Sequence, residues 1–506
     1  MAMVPSPQPR TTRVDRSLVA LRPGLCILAV SLLLVIPCFW QSRIQAGDFG
    51  THVYNAWLAT RISHGAMPGL WIAPQSNNVL FDLTLQWLLE HLSVSLAQGV
   101  AVSITVLIFA WGAILFISAA GEANWWLMVP SVAMLAYGFI FHMGFFNFYL
   151  SMGLCLWYLA IFWKAGWRTR VLITPLLLLA WTAHPLPVAW TLGTAAYVVI
   201  ATYARPQQQW MLFLLGILGV LAARFVLSRL YVCAWSVKQA LSCTGADQVL
   251  AFGPPRRWSL AGEGKYVLLF MILLTLWLSL LRRLVKAHGF SSLAMRVPLQ
   301  LWLITAAGAL LIPDSVALPQ YPQSFTYINH RLSLAAAVMG CAVLSSQRLR
   351  AGEKIGLVLV AVLFFGFVYA DVRALNQGED RVSLALKQVP SGQRVIGFFP
   401  PRSARMNPLQ HALDRSCVDQ CFSYADYEPP TRLFRVRAQP DNGIVMDNYD
   451  DVRAVHNGTY VARRRDLPLY LLYPCGESQH DICWRSLREG EEINNLDLQA
   501  AGAVKP

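Results

Sequence analysis

Apolar residues arrive in long runs with few charges inside them, and these runs recur from Leu21 to Ala370. A hydrocarbon layer of about 30 Å needs roughly 20 apolar residues in helical form to cross it. Eleven segments approach that requirement: 21–40, 94–118, 125–141, 145–163, 171–184, 186–203, 210–228, 266–281, 298–312, 332–346 and 355–370. The stretch 171–203 divides in two because "HPLP" at 184–187 places two prolines where one continuous helix would break. After Asp371 the pattern changes. "VSLALKQVP" has the period of an amphipathic helix and "SGQRVIGFF" reads as a turn into a strand, with "GIVMD", "TYVARR" and "LPLYLLYP" as further strands. The pattern predicts an α-helical polytopic membrane protein of about 11 transmembrane helices over 1–370. A small extracytoplasmic α/β or α+β domain follows over 371–506. Two long external loops are expected, at about 41–93 and 229–265. No internal repeat is evident.

Composition agrees. Only 13% of the residues are charged and 56% are hydrophobic, against about 25% charged in soluble domains. The 21–40 run exceeds a signal-peptide core and is followed by no small-residue cleavage site, so it is expected to persist as the first span. The net charge of +14 would suit nucleic acid, but its distribution does not. From Asp371 onward there are 17 basic and 18 acidic residues, and before it 24 and 9. The excess sits in short loops: Lys164, Arg168 and Arg170; Arg282, Arg283, Lys286 and Arg296; Arg348, Arg350 and Lys354. That is the positive-inside pattern, which orients spans. With Arg10, Arg13 and Arg16 inside, an odd span count puts the tail outside a cytoplasmic membrane. The cysteines fit this topology. Cys26, Cys38, Cys155 and Cys341 fall in apolar segments; the other six fall outside in even groups. The simplest pairing is Cys233–Cys243, Cys417–Cys421 and Cys475–Cys483 in an oxidising compartment. Zinc is the alternative for the four tail cysteines, although neither pair has C-x2-C spacing.

The first external loop concentrates polar chemistry. Asp48, His52 and Asn55 are spaced i, i+4, i+7 and share one face of a helix that starts near Asp48. A carboxylate beside an imidazole can take a proton from a hydroxyl or bind a cation. "DFGT" is equally what a capped helix start looks like, so Asp48 as N-cap is the competing reading. "LFDLTLQWLLEHLS" reads as a second helix, lying along the membrane.

The residues "GDFGTH" at 47–52, "ISHGAMPGLW" at 62–71 and "LFDLTLQWLLEHL" at 80–92, with the span count and the external tail, resemble the C-type glycosyltransferase superfamily of polytopic membrane enzymes. The resemblance implies transfer of a sugar from a polyprenyl-phosphate donor to a glycan, lipid or protein acceptor, with Asp48 as catalytic base and His52 beside it. Gly47 and Phe49 supply no second acid next to Asp48, so a divalent metal is not indicated and no other cofactor is implied.

A site for a lipid-linked phosphate needs positive charge at the outer ends of the spans. Arg224 and Arg331 lie there, with the planar fork that suits phosphate, as does Arg256 in "GPPRRW". His184, His142, Asn147, Asn329 and His330 gather on the same side. Ionisable groups near spans are costly unless satisfied, which makes them functional candidates. For the arginines the competing role is snorkelling to lipid headgroups; for the histidines it is structural satisfaction. Two other functions remain open at this stage. A transporter or lipid-handling permease would show repeats and broken spans at the midplane, and an envelope scaffold would use the tail to bind a partner.

Overall fold

The computed structural model describes residues 13–121, 125–252, 264–399, 405–440, 442–476 and 481–493, without the side chains of 13–23 and 125. It is mostly helical. Among the described residues six helices are long and apolar enough to cross a membrane: Val94–Gly121, Pro185–Tyr203, Pro206–Leu230, Gly264–His288, Ile328–Ser345 and Ala351–Leu386. Shorter apolar helices run over Gly24–Cys38, Trp126–His142, Phe146–Phe162 and Val297–Leu311. These are the elements of a multi-pass membrane protein. Pro206–Leu230 buries none of its residues within the chain, as suits a helix facing lipid. The "HPLP" break is present: Thr174–Ala183 ends and Pro185–Tyr203 begins on either side of an extended His184.

The first loop folds as expected into two helices, Phe49–Ser63 and Leu80–His91. Between them β1 (Leu70–Ile72) pairs antiparallel with a strand of the tail, Val436–Ala438, in the register Leu70↔Ala438. The loop and the tail therefore share a sheet. They also share a core, in which Tyr54 and Leu58 of the first loop pack with Val382, Leu386, Val395, Leu413 and Leu472.

In chain order the remaining strands are β2 (Val232–Ala234), β3 (Ser315–Ala317), β4 (Arg394–Gly397), β5 (Phe422–Ser423), β6 (Val436–Ala438, the partner of β1), β7 (Leu469–Cys475) and β8 (Asp481–Ser486). The tail sheet has the order β5-β4-β7-β8, parallel except for the β7–β8 hairpin.

Several expectations need correction. The helix read over "VSLALKQVP" is present, but only as the end of a longer one. With no proline between 351 and 386, one 36-residue helix runs unbroken through the expected boundary at 370. "GIVMD" forms no strand. The Asn442 carboxamide oxygen accepts from the Ile444 and Val445 amides, which diverts them from any ladder. "TYVARR" contributes only an isolated bridge, Val461↔Glu492, before a short 3-10 turn at Arg464–Asp466. Cys417–Cys421 and Cys475–Cys483 are bonded, but Cys233 and Cys243 are not. Their thiols turn instead to the carbonyls of Leu227 and Ala240.

A buried ion pair fastens the tail to the helical part. Arg415 donates from Nε to Glu379 Oε1 at 2.8 Å, and from Nη1 to the Ile44 carbonyl at 2.9 Å and Gln98 Oε1 at 3.0 Å. Gln45 Nε2 donates to the other Glu379 oxygen at 2.7 Å. With its lone pairs so satisfied, the pair fixes a geometry more than it adds stability.

Candidate active site

The backbone places Asp48 with little freedom. The Gly47 amide donates to the His142 carbonyl at 2.7 Å and the Asp48 amide to the Met143 carbonyl at 3.1 Å. The turn that receives them needs Gly144, which has φ +83° and whose missing Cβ would lie 2.7 Å from the Asp48 nitrogen. Phe49, fully buried, packs against Phe81 and Phe146. Gly50 leaves room for the His411 carbonyl, which any Cβ there would strike.

Asp48 occupies the N-cap position, as "DFGT" suggests, yet its side chain makes no capping hydrogen bond. The carboxylate is 30% exposed. Loss of water raises it above the ordinary carboxylate value, partly offset by the charges of His411, His52 and Arg331.

Two histidine–carboxylate pairs flank it. His411 points Nε2 at Asp48 Oδ1 from 3.9 Å, while its Nδ1 lies 3.0 Å from Asp414 Oδ2. Thr51 Oγ1 donates to the same Asp414 oxygen at 2.6 Å, and Ser423 donates to the other. Burial alone would lower His411, but the Asp414 bond and charge outweigh it and the ring is raised. Burial would raise Asp414, but His411 holds it below its ordinary value. A carboxylate that orients one ring nitrogen so that the other faces a reacting group is the arrangement by which imidazoles assist proton transfer.

One turn along the helix His52 Nδ1 meets Asp82 Oδ1 at 2.9 Å and Glu428 Oε1 at 3.5 Å. Burial would lower this imidazole, but Asp82 raises it on balance. Asn147 Nδ2 donates to Asp82 Oδ2 at 2.8 Å and so orients that acid. Asn55 Nδ2 donates to Asp426 Oδ2 at 2.8 Å. Burial, then the charge of Asp414, pushes Asp426 up to about 8. Burial and the neighbouring acids push Glu428 well above its ordinary value. The expected i, i+4, i+7 face is therefore real, and the tail covers it.

Arg331 begins the Ile328–Ser345 helix, 8% exposed, beneath the rings of Phe145, Phe148 and Phe325 at 4.3, 5.6 and 4.8 Å. Among the described residues no carboxylate lies within ion-pair distance of it, and its Nε has no hydrogen-bond partner. Nη1 lies 3.1 Å from His184 Nε2, but His184 Nδ1 also accepts from the Leu186 amide. A neutral imidazole has one acceptor nitrogen, so it cannot serve both donors. Tyr327, just before Arg331, holds a left-handed φ of +60°, a conformation that costs a bulky residue of order 1–3 kcal/mol and gathers at functional sites. The charge of Asp48 reaches both Tyr327 and Arg331.

The other candidates are dispersed. Arg224 stacks on Trp235 at 5.4 Å, and no hydrogen bond or ion pair joins it to the Asp48 cluster among the described residues. Arg256 and Arg257, like Arg10, lie outside the described residues. His142 is buried and shares its Nδ1 with the Gln45 carbonyl at 3.2 Å, a structural role. His330 faces Asp314 at 3.3 Å, and Asn329 accepts from the His330 amide. The sequence reading missed Asp82, His411, Asp414, Asp426 and Glu428. Asp82 stood inside a quoted helix; the tail acids and His411 lie on short turns with no periodic signal. No group of three His, Cys, Asp or Glu side chains with the arrangement to hold a metal occurs among the described residues. No family model, curated protein or solved structure matches the chain.

Proposed function

We propose that this chain is a multi-pass glycosyltransferase of a cytoplasmic membrane, with about eleven transmembrane helices and its tail outside, that transfers a sugar from a polyprenyl-phosphate donor to a hydroxyl acceptor. The observation that carries the reading is Arg331, a buried guanidinium with no carboxylate within ion-pair distance among the described residues and an Nε without a hydrogen-bond partner, under the charge of Asp48, whose side chain caps nothing. An isolated buried charge costs several kcal/mol, and a lipid phosphate supplies the missing anion with matching planar geometry. In the reaction Asp48 takes the proton of the acceptor hydroxyl. The oxygen attacks the anomeric carbon, the bond from that carbon to the phosphate oxygen breaks, and the departing lipid phosphate leaves with its charge against Arg331. His411, held by Asp414, keeps Asp48 ionised and oriented. Membrane lipids and the lipid-linked donor are the partners; the charge distribution gives nucleic acid no role. Glycan and lipid profiling of a deletion strain, complemented with wild type or with Asp48→Asn, tests the proposal. A sugar lost in the deletion should return only with wild type; profiles identical in all three strains would refute it.

A further inference from the structure

The lipid-facing helix Pro206–Leu230 carries two charges, Arg224 and Arg229, both in its last seven residues. An arginine at the end of such a helix keeps its head at the polar surface of the membrane. This is the tail's side of the membrane part, because Asp247, a few residues beyond the segment that follows the helix, pairs with Arg405 of the tail at 2.6 Å. Past Leu230 the chain does not lead away from the membrane. It reverses at Tyr231, so that Cys233 Sγ lies 3.5 Å from the Leu227 carbonyl and the Trp235 ring 5.4 Å from the Arg224 guanidinium. Later residues of the returning segment thus stand beside earlier residues of the helix, back toward the lipid.

The segment has two faces. One is held by protein: β2 pairs with β3, and Cys233 packs against the core of Val316, Ile328 and Leu332. The other is apolar and uncovered, with Val232 80% and Val237 100% exposed and Trp235 and Leu241 exposed beside them. Apolar side chains gathered on an exposed face outside a span mark a contact surface, and Trp is the residue of the membrane–water boundary. Charge selects the lipid. From Pro206 to Ala246 the chain has three basic residues and no acidic one. Among the described residues no carboxylate pairs with Arg224 or Arg229, whose guanidinium groups are steadied only by the rings of Trp235 and Phe225 at 5.4 and 5.2 Å. We propose that Val232–Leu241 is an anchor that dips into the leaflet on the tail's side, and that Arg224 and Arg229 beside it bind the phosphates of anionic phospholipids. The inference uses neither Asp48 nor Arg331, and it stands whether or not the chain transfers a sugar.

Two measurements on the full-length protein in nanodiscs of phosphatidylcholine and phosphatidylglycerol test this. In the first, the photo-crosslinking residue p-benzoylphenylalanine replaces Val237, Leu218 in the middle of the lipid-facing helix, or Val461 on the surface of the tail. After irradiation, mass spectrometry should find phospholipid adducts at positions 237 and 218 and none at 461. Position 237 behaving like 461, or joining to a second protein chain, would overturn the anchor. In the second, native mass spectrometry counts the lipids that stay bound on release from the nanodisc. Wild type should retain phosphatidylglycerol in preference to phosphatidylcholine. Arg224→Gln and Arg229→Gln should each lower that preference about fivefold, the worth of one basic side chain at an anionic surface. Arg224→Lys and Arg229→Lys, which keep the charge, should largely preserve it, and this separates lost charge from a disturbed helix. Equal retention of the two lipids by wild type, or an unchanged preference in the Gln variants, would overturn the headgroup site.

Discussion

Asp48→Asn separates chemistry from folding more cleanly than any other substitution in the molecule. A working N-cap accepts a hydrogen bond from the first turn, and replacing it by a residue that cannot accept costs about 0.5–2 kcal/mol. The Asp48 carboxylate makes no such bond, so that contribution is absent. What remains is its charge near the helix start, worth about 0.3–1 kcal/mol, and its attraction to His411 at 3.9 Å. Both oppose the desolvation of the charge, which a neutral amide does not suffer. The net change in stability should lie within about 1 kcal/mol, since the contributions differ in sign and are each of that size. A proton-accepting role makes a different demand, because a neutral amide cannot take the acceptor proton. Loss of general-base assistance slows a reaction by about 10²–10⁴-fold. The measurement pairs a melting curve with the initial rate of transfer from one lipid-linked donor, for wild type and variant at equal protein. The expected result is an unchanged Tm with a rate lower by at least two orders of magnitude. A folded Asp48→Asn protein that transfers at close to the wild-type rate would refute the reasoning and leave Asp48 a surface acid of no catalytic consequence.

His411→Ala removes the cation that steadies the Asp48 carboxylate, so the acidic limb of the rate–pH profile should move to higher pH; a limb that stays in place would detach His411 from the base. Arg331→Lys keeps the charge but loses the planar fork, and should raise the apparent KM for the lipid-linked donor about tenfold or more; an unchanged KM would remove the residue from the phosphate site. Asp426, pushed up to about 8, binds a proton in the native protein that the unfolded chain releases near pH 4, and burial shifts Glu428 in the same direction. The folded state is therefore stabilised less as pH climbs from about 4 toward the folded value, about 8 for Asp426. Tm should fall between pH 6 and pH 8, and Glu428→Gln, which mimics the protonated acid, should flatten that fall; a Tm that rises over this interval in wild type would contradict the assignment. Cys417 and Cys475 should resist a thiol reagent in intact and in permeabilised unreduced cells, and ready labelling only after permeabilisation would put the tail inside and its cysteines reduced.

The sequence and the site were legible to different degrees for physical reasons. Each of the eleven apolar segments meets helical structure, because apolar composition over a long stretch does not depend on tertiary partners. The segment 125–141 is broken near Tyr137 and Gly138 into short pieces. The shared helical face of Asp48, His52 and Asn55 was legible because helical spacing is local, and the place of Arg331 because an ion beside an apolar run stands out. His411, Asp414, Asp426 and Glu428 carried no such mark. They sit on turns and very short helices, and acquire their chemistry only when the tail closes over a helix encoded far upstream. The strand at Val436–Ala438 was missed for the same reason: its partner, Leu70–Ile72, is in another part of the chain. The continuity of the 351–386 helix was missed because its hydropathy changes at 371 while its backbone does not.

The pairing of the first loop with the tail has a consequence for biogenesis. Thr51 and Asp414, which share a hydrogen bond, are 363 residues apart. At about 5–20 residues per second, the loop waits about 20–70 s on the ribosome before the segment that completes it has been made. During that interval Tyr54, Leu58 and the open edge of the Leu70–Ile72 strand lack the partners that later bury them. Synthesis thus passes through a long stage in which the loop's later-buried face is an exposed apolar surface, and a truncated chain that stops short of the tail remains in it.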